Sequence, residues 1–168
     1  MIKSFGGKTP KIAPSALIHE TACIIGDVEI GENASIWPGA VIRGDIAKIK
    51  IGRNTSIRDN CVVHCEEELV IGDNVIVGHT AVIHCKSIGS NVIIGNNATL
   101  LDGTEIGNYC IIGAGSTVAP ETRIPDRSLV VGVPGKRKSD ISAELLAKLE
   151  HAIVTYSRLT QSYKQQGF

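Results

Sequence analysis

Aliphatic residues recur along this chain with a period of six. They fall at Ile12, Ile18, Ile24, Ile30, Ile36 and Ile42, resume at Ile51, Ile57 and Val63, and again at Ile71, Val77 and Ile83. A last unbroken stretch takes in Ile88, Ile94, Leu100, Ile106, Ile112, Val118, Ile124 and Val130. Two positions before most of them the side chain is small, as at Ala22, Ala34, Ala40, Thr55, Cys61, Ala81, Ala98 and Cys110, and glycine often follows, as at Gly31, Gly52, Gly72 and Gly95. Such a period suits neither a helix of about 3.6 residues per turn nor a strand that alternates every second residue. It suits short strands joined by tight corners. One repeat cannot bury its aliphatic side chain alone, so repeats must stack, and the pattern predicts a parallel β-helix with the aliphatics inside. Three hexapeptides close one triangular coil, which gives about seven coils rising about 4.8 Å each.

The array ends after Val130 at Gly132, Pro134 and Gly135, and the period changes. We therefore expect a β-helix domain over residues 1–135 and a C-terminal segment, 136–168, that forms a helix packed on the β-helix or on a neighbouring subunit. Ser139, Asp140 or Ser142 could cap that helix, and Leu145, Leu149, Ile153, Tyr156, Leu159 and Tyr163 form an apolar stripe at helical spacing.

Grouping the repeats by coil brings out one column of outward residues. Ile42, Val63 and Ile83 are each the third aliphatic of their coil, and Arg43, His64 and His84 follow them. These three should stack on successive coils and point away from the core, with Ile25 below and Leu101 above. A polar trio flanked by apolar residues suggests a surface covered by another subunit. His64 and His84, about 4.8 Å apart along the stack, can both place a ring nitrogen on one metal ion. His79 lies toward a different corner, and five residues of extended chain reach up to about 16 Å, so His79 and His84 of one chain should not share an ion. A threefold axis solves the geometry: His79 of one chain would approach His64 and His84 of the next, giving three equivalent sites.

Composition narrows the partners. The 17 basic residues balance the 17 acidic ones, which argues against nucleic acid or an anionic membrane and leaves a small molecule or another protein. No apolar run approaches the roughly 20 residues of a membrane span, and the N-terminal stretch lacks a signal-peptide core, so the sequence reads as cytoplasmic. The 5 cysteines agree with a reducing compartment. Cys61 and Cys110 occupy the small inward position, while Cys65 and Cys85 follow the two stacked histidines and could stack, form a disulfide or offer a softer metal site.

Arg43-Gly44-Asp45, the run Ile51-Gly52-Arg53-Asn54-Thr55-Ser56-Ile57-Arg58-Asp59, and His64, His79 and His84 together resemble the gamma-class carbonic anhydrase family. The likeness extends over about residues 10–160. It implies a left-handed β-helix and a homotrimer that binds zinc, with iron or cobalt as alternatives, through His64 and His84 of one subunit and His79 of its neighbour. It also implies an Arg43–Asp45 ion pair between subunits and places Asn54 and Asp59 near the metal. Three neutral imidazoles leave a zinc position open, the ion lowers the pKa of its water to about 7, and the hydroxide attacks carbon dioxide. The family's acidic proton shuttle is matched by Glu67, whereas Ile46 occupies its other position. Arg58 stands where much of the family has a glutamine, and Tyr156 where it has a site-facing tyrosine. Arginine donates hydrogen bonds but accepts none, so the expected hydratase activity is weak. Either Arg58 points at the metal or it pairs with an acidic residue of the neighbouring chain. The rival functions are an acyl-CoA thioesterase or acyltransferase of the hexapeptide-repeat superfamily, with a histidine as base, and a metal-binding assembly protein without turnover.

Overall fold

The computed structural model describes residues 1–167 and winds them into a left-handed parallel β-helix of about seven turns, followed by one helix. The register joins each aliphatic to its counterpart one coil away, so the inward ruler becomes three stacked columns. On one face Ile24, Ile42, Val63, Ile83, Leu100 and Val118 are paired in sequence. A second carries Ile12, Ile30, Ile51, Ile71, Ile88, Ile106 and Ile124, and the third runs from Ile18 to Val130. Every aliphatic of the ruler from Ile24 to Val130 is buried, and Ile12 and Ile18 pack against the same core.

Corners demand a left-handed backbone, which asparagine tolerates better than most residues. One corner stacks Asn54, Asn74 and Asn91 at φ of 54°, 57° and 57°, and their side-chain amides form a ladder with 3.1 Å steps. Coils also approach too closely there for a side chain: a Cβ on Gly52 would lie 2.4 Å from the Gly72 carbonyl oxygen.

The second and third full coils are longer than the rest. Strands Cys23–Ile30 and Val41–Ile51 cross a corner without a break, joining two faces into one 12-stranded sheet. Their register shifts where Gly26 pairs with Gly44 and Val28 with Ile49, which pushes the residues between Gly44 and Ile49 outward. Ile49 and Leu69, outside the six-residue ruler, turn in to fill the widened corner and are fully buried. Cys65 and Cys85 are drawn into the same core. Burial pushes their thiols up to about 11 and about 12, so both stay protonated. The disulfide is therefore corrected: all five cysteines are free.

The segment after Gly135 opens with a strand, Lys136–Asp140, antiparallel to Ser128–Val131. The helix Ala143–Gln165 then starts at Ser142, whose side chain accepts from the Leu145 amide. It lies along its own chain's β-helix. Lys164 Nζ donates to the Ser15 carbonyl at 2.6 Å, and Trp37 and Tyr163 meet edge to face at 4.9 Å. The inward stripe differs from expectation at one position: Leu159 is 37% exposed, and Thr160 takes the buried place, its hydroxyl donating to the Tyr156 carbonyl. Among the described residues, no helix is long and apolar enough to cross a membrane.

Candidate metal centre

Parallel pairing puts Arg43 beside His64, and the His84 amide donates to Leu100 one coil above. The expected outward column is thus present. The His64 and His84 rings stand 5.4 Å apart, centre to centre. Two imidazoles on one tetrahedral ion at about 2.0–2.1 Å would have ring centres roughly 5 Å apart, so the spacing fits a shared metal. Next to them Val62 and Val82 are exposed, a strip of apolar surface on the face that carries the histidines.

Each stacked histidine already has a carboxylate. His64 Nε2 lies 3.0 Å from Asp45 Oδ1, and Asp45 also accepts from Arg43. Burial works to raise the Asp45 carboxyl, but the bonds from Arg43 and His64 outweigh it and hold the group below its ordinary range. The resemblance assigns Arg43 and Asp45 to a subunit contact; the two side chains already meet within one chain. His84 Nδ1 is bonded to Asp102. Sequence reasoning missed Asp102, although it placed Leu101, the preceding residue, on the coil above His84. A cavity of about 220 Å³ next to His84 is lined by Glu67, Asp102, Glu121 and Arg123.

His79 lies elsewhere. It sits on the corner that also carries Asn60, Thr80 and Asn97, with Nδ1 2.9 Å from Asp59 Oδ2. Its peptide is clamped from the next coil: the His79 amide donates to Asn96 Oδ1 at 3.0 Å, and Thr80, a β-branched residue at φ 57°, bonds the His79 carbonyl and Asn97. A pocket of about 170 Å³ joins His79 and Asp59 to Arg58, Trp37, Tyr156 and Tyr163. Arg58 is partly exposed and, among the described residues, has no carboxylate partner; it stacks 4.4 Å from the Tyr156 ring centre and donates to the Tyr156 hydroxyl.

The structure therefore gathers the candidates into two groups, one around His64 and His84 with Arg43, Asp45 and Glu67, the other around His79 with Arg58, Asp59 and Tyr156. Asn54 belongs to neither group; its side chain is committed to the corner ladder. Among the described residues, no three potential ligands converge within one chain. The stacked pair fits a metal as two-thirds of a three-imidazole donor set, and the third imidazole is on another face.

The family model for bacterial transferase hexapeptide repeats matches residues 9–44 and 86–120. A probable carbonic anhydrase of Methanocaldococcus jannaschii is 44% identical over 158 residues, covering 91% of this chain and 99% of that protein. The mitochondrial gamma carbonic anhydrase 1 of Arabidopsis thaliana is 35% identical over 168 residues, covering 95% of this chain; the chain spans 61% of the plant protein's length. Among solved structures, a hexapeptide transferase family protein from Anaplasma phagocytophilum superposes with a TM-score of 0.93 at 34% identity, covering 96% of this chain and 97% of that one.

Proposed function

Because this chain belongs to the gamma carbonic anhydrase family, we propose that it is a metal-dependent lyase that reversibly hydrates carbon dioxide at sites shared between the subunits of a homotrimer. The observation that carries this reading is the division of three imidazoles between two faces of one prism: a ligand pair 5.4 Å apart and a single ligand on another corner. Closing such a set takes a neighbouring copy, with His64 and His84 from one chain and His79 from the next. The exposed valines Val62 and Val82 beside the pair supply apolar area for that contact.

Zinc is the metal we assign, with iron or cobalt as alternatives; when bound, it supplies a Lewis acid that lowers the pKa of water toward neutrality. The chain's own groups set the stage for it. Asp59 and Asp102 hold the protons of His79 and His84 on Nδ1, which leaves both Nε2 lone pairs free and fixes the ring orientations. Asp45, anchored by Arg43, does the same for His64 through the opposite nitrogen. Arg58 and Tyr156 flank His79 and would face the reacting carbon dioxide across the subunit contact. Glu67, exposed at the mouth of the cavity beside His84, would take the released proton to solvent.

A second reading, acyl transfer or thioester hydrolysis on a coenzyme A ester, draws support from the transferase-family structure and from the repeat model. Carbon dioxide hydration and thioester cleavage measured side by side on fully metallated protein separate the two. Hydration that requires metal supports the lyase; thioester turnover without hydration overturns it.

A further inference from the structure

The sheets of a β-helix end where its coils end, and an end strand offers a row of backbone N–H and C=O groups to any chain that can pair with them. Most end strands here are two residues long: Ile2–Lys3, Lys11–Ile12, Leu17–Ile18, Thr117–Val118 and Arg123–Ile124. Shortness alone protects such edges. The strand Lys136–Asp140 is different: it has five residues, is exposed at every position, and is paired with Ser128–Val131 on one side only. Among the described residues, no strand lies against its other edge.

This edge is also charged. Lys136, Arg137 and Lys138 stand against a single acid, Asp140, which is already bonded to Arg137. Among the described residues, neither Lys136 nor Lys138 has a carboxylate within ion-pair distance. The edge is a poor match for a second copy of itself. Pairing the whole strand antiparallel with its twin would set Lys138 against Lys138, and like charges directly opposite destabilise a sheet. The register also skips Lys138, a bulge that disturbs any symmetric match. A segment carrying carboxylates meets neither obstacle, since each lysine then gains the partner it lacks.

We propose that this edge takes up an extended acidic segment of a partner protein as an added strand. Main-chain hydrogen bonds hold the segment, and Lys136 and Lys138 select its charge. The inference goes beyond carbon dioxide hydration, does not rest on it and needs no metal.

The probe is a fluorescein-labelled peptide of alternating glutamate and valine, the valines favouring an extended backbone. Fluorescence anisotropy follows its titration with full-length protein at constant ionic strength. Binding should saturate, and amide hydrogen exchange should slow across residues 136–140 when the peptide is present. Two further peptides separate the contributions. One has glutamine in place of glutamate; the other is N-methylated at every amide, which keeps the charge and removes the backbone donors. Each should bind at least tenfold more weakly. The double variant Lys136→Glu, Lys138→Glu should lose the acidic peptide at least tenfold and gain affinity for a lysine–valine peptide. The proposal is overturned if anisotropy does not saturate, which would leave the lysines as guards against aggregation alone. It is equally overturned if the N-methylated or glutamine peptide matches the acidic one, if protection appears elsewhere than 136–140, or if a folded double variant binds as the wild type does. Should the double variant not fold, the three peptides and the exchange map on unmutated protein decide. Failure to hydrate carbon dioxide leaves this result untouched, and the reverse also holds.

Discussion

Suppose a His79→Ala chain and a His64→Ala chain carry different affinity tags, are co-expressed, and are purified through both tags in turn. Only mixed assemblies survive that selection. In a cyclic trimer each site takes its lone histidine from one chain and its stacked pair from the next. Whether a mixed trimer holds two copies of one variant or of the other, going round the ring gives the same tally. One site has both lost ligands, one lacks a single ligand, and about one in three is complete. The structure makes the arithmetic sharp, because among the described residues no three ligands converge in one chain, and the pair and the single imidazole lie on different faces. Metal per chain, measured by plasma mass spectrometry after dialysis against a weak chelator, should recover to about a third of the wild-type value. Hydration rates on the same samples should follow it. Each variant alone should hold little or none. Mixed trimers that assemble yet bind no more metal than their parents would refute the shared site.

Arg58→Gln should raise carbon dioxide turnover at unchanged metal content, because the charge that would hold bicarbonate is gone; stopped-flow hydration checks this, and unchanged turnover sinks it. The same substitution removes the stacking on Tyr156, so the melting temperature should fall modestly, in line with about 0.5–1 kcal/mol for a partly exposed cation–π contact. Thr80→Asn should stabilise the protein by about 1 kcal/mol, since asparagine tolerates the left-handed backbone that costs a β-branched residue, and Asn60 and Asn97 already occupy the same corner. Calorimetry should show a rise of about 2–4 °C, and an unchanged or lower midpoint contradicts the strain. Hydrogen bonds from Lys8, Lys48 and Lys86 hold the Asp27, Glu29 and Glu105 carboxyls below their ordinary 3.8 and 4.5. Their contribution to stability is present above those values and is lost as pH falls through the depressed ones. Denaturant midpoints should therefore drop steadily on acidification below about pH 4.5, and a midpoint flat across that window speaks against these pairs.

Periodicity made the architecture legible because burial constrains an inward side chain severely, and the constraint repeats each coil. It placed the ruler's core from Ile24 to Val130, and it stacked Arg43, His64 and His84 before any coordinates. It said nothing of Ile49, Leu69 or Cys65, which are buried where residues are inserted between Ile42 and Ile51 and between Val63 and Ile71, nor of Cys85, which is buried where the step from Ile83 to Ile88 is shortened. A fixed ruler has no position for them. Helical spacing likewise named Leu159 where Thr160 is buried, since a threonine that bonds its own helix carbonyl can sit inward at little cost. Asp102 was missed for a different reason: the ruler had Leu101 above His84, but it does not say that the side chain one step further along turns back to that ring.

The gap in the repeat model is informative in the same way. Its matched segments, 9–44 and 86–120, bracket the stretch that holds His64, His79 and His84, and that stretch opens with the residues after Gly44 that are inserted where the register shifts. Regular hexads satisfy the demands of the prism and so are shared across proteins with different chemistry. Their outward positions carry no burial constraint, which leaves them free to hold a column of ligands at the strand spacing. An insertion does more, because it moves groups such as Asp45 off the flat face and over the neighbouring ring, where His64 meets it at 3.0 Å. Departures from the ruler cost packing regularity, and the core residues Ile49 and Leu69 offset that cost from inside. A chain that kept the unbroken six-residue period through this region would retain the fold and the stacked column, but it would lose the carboxylate that orients His64.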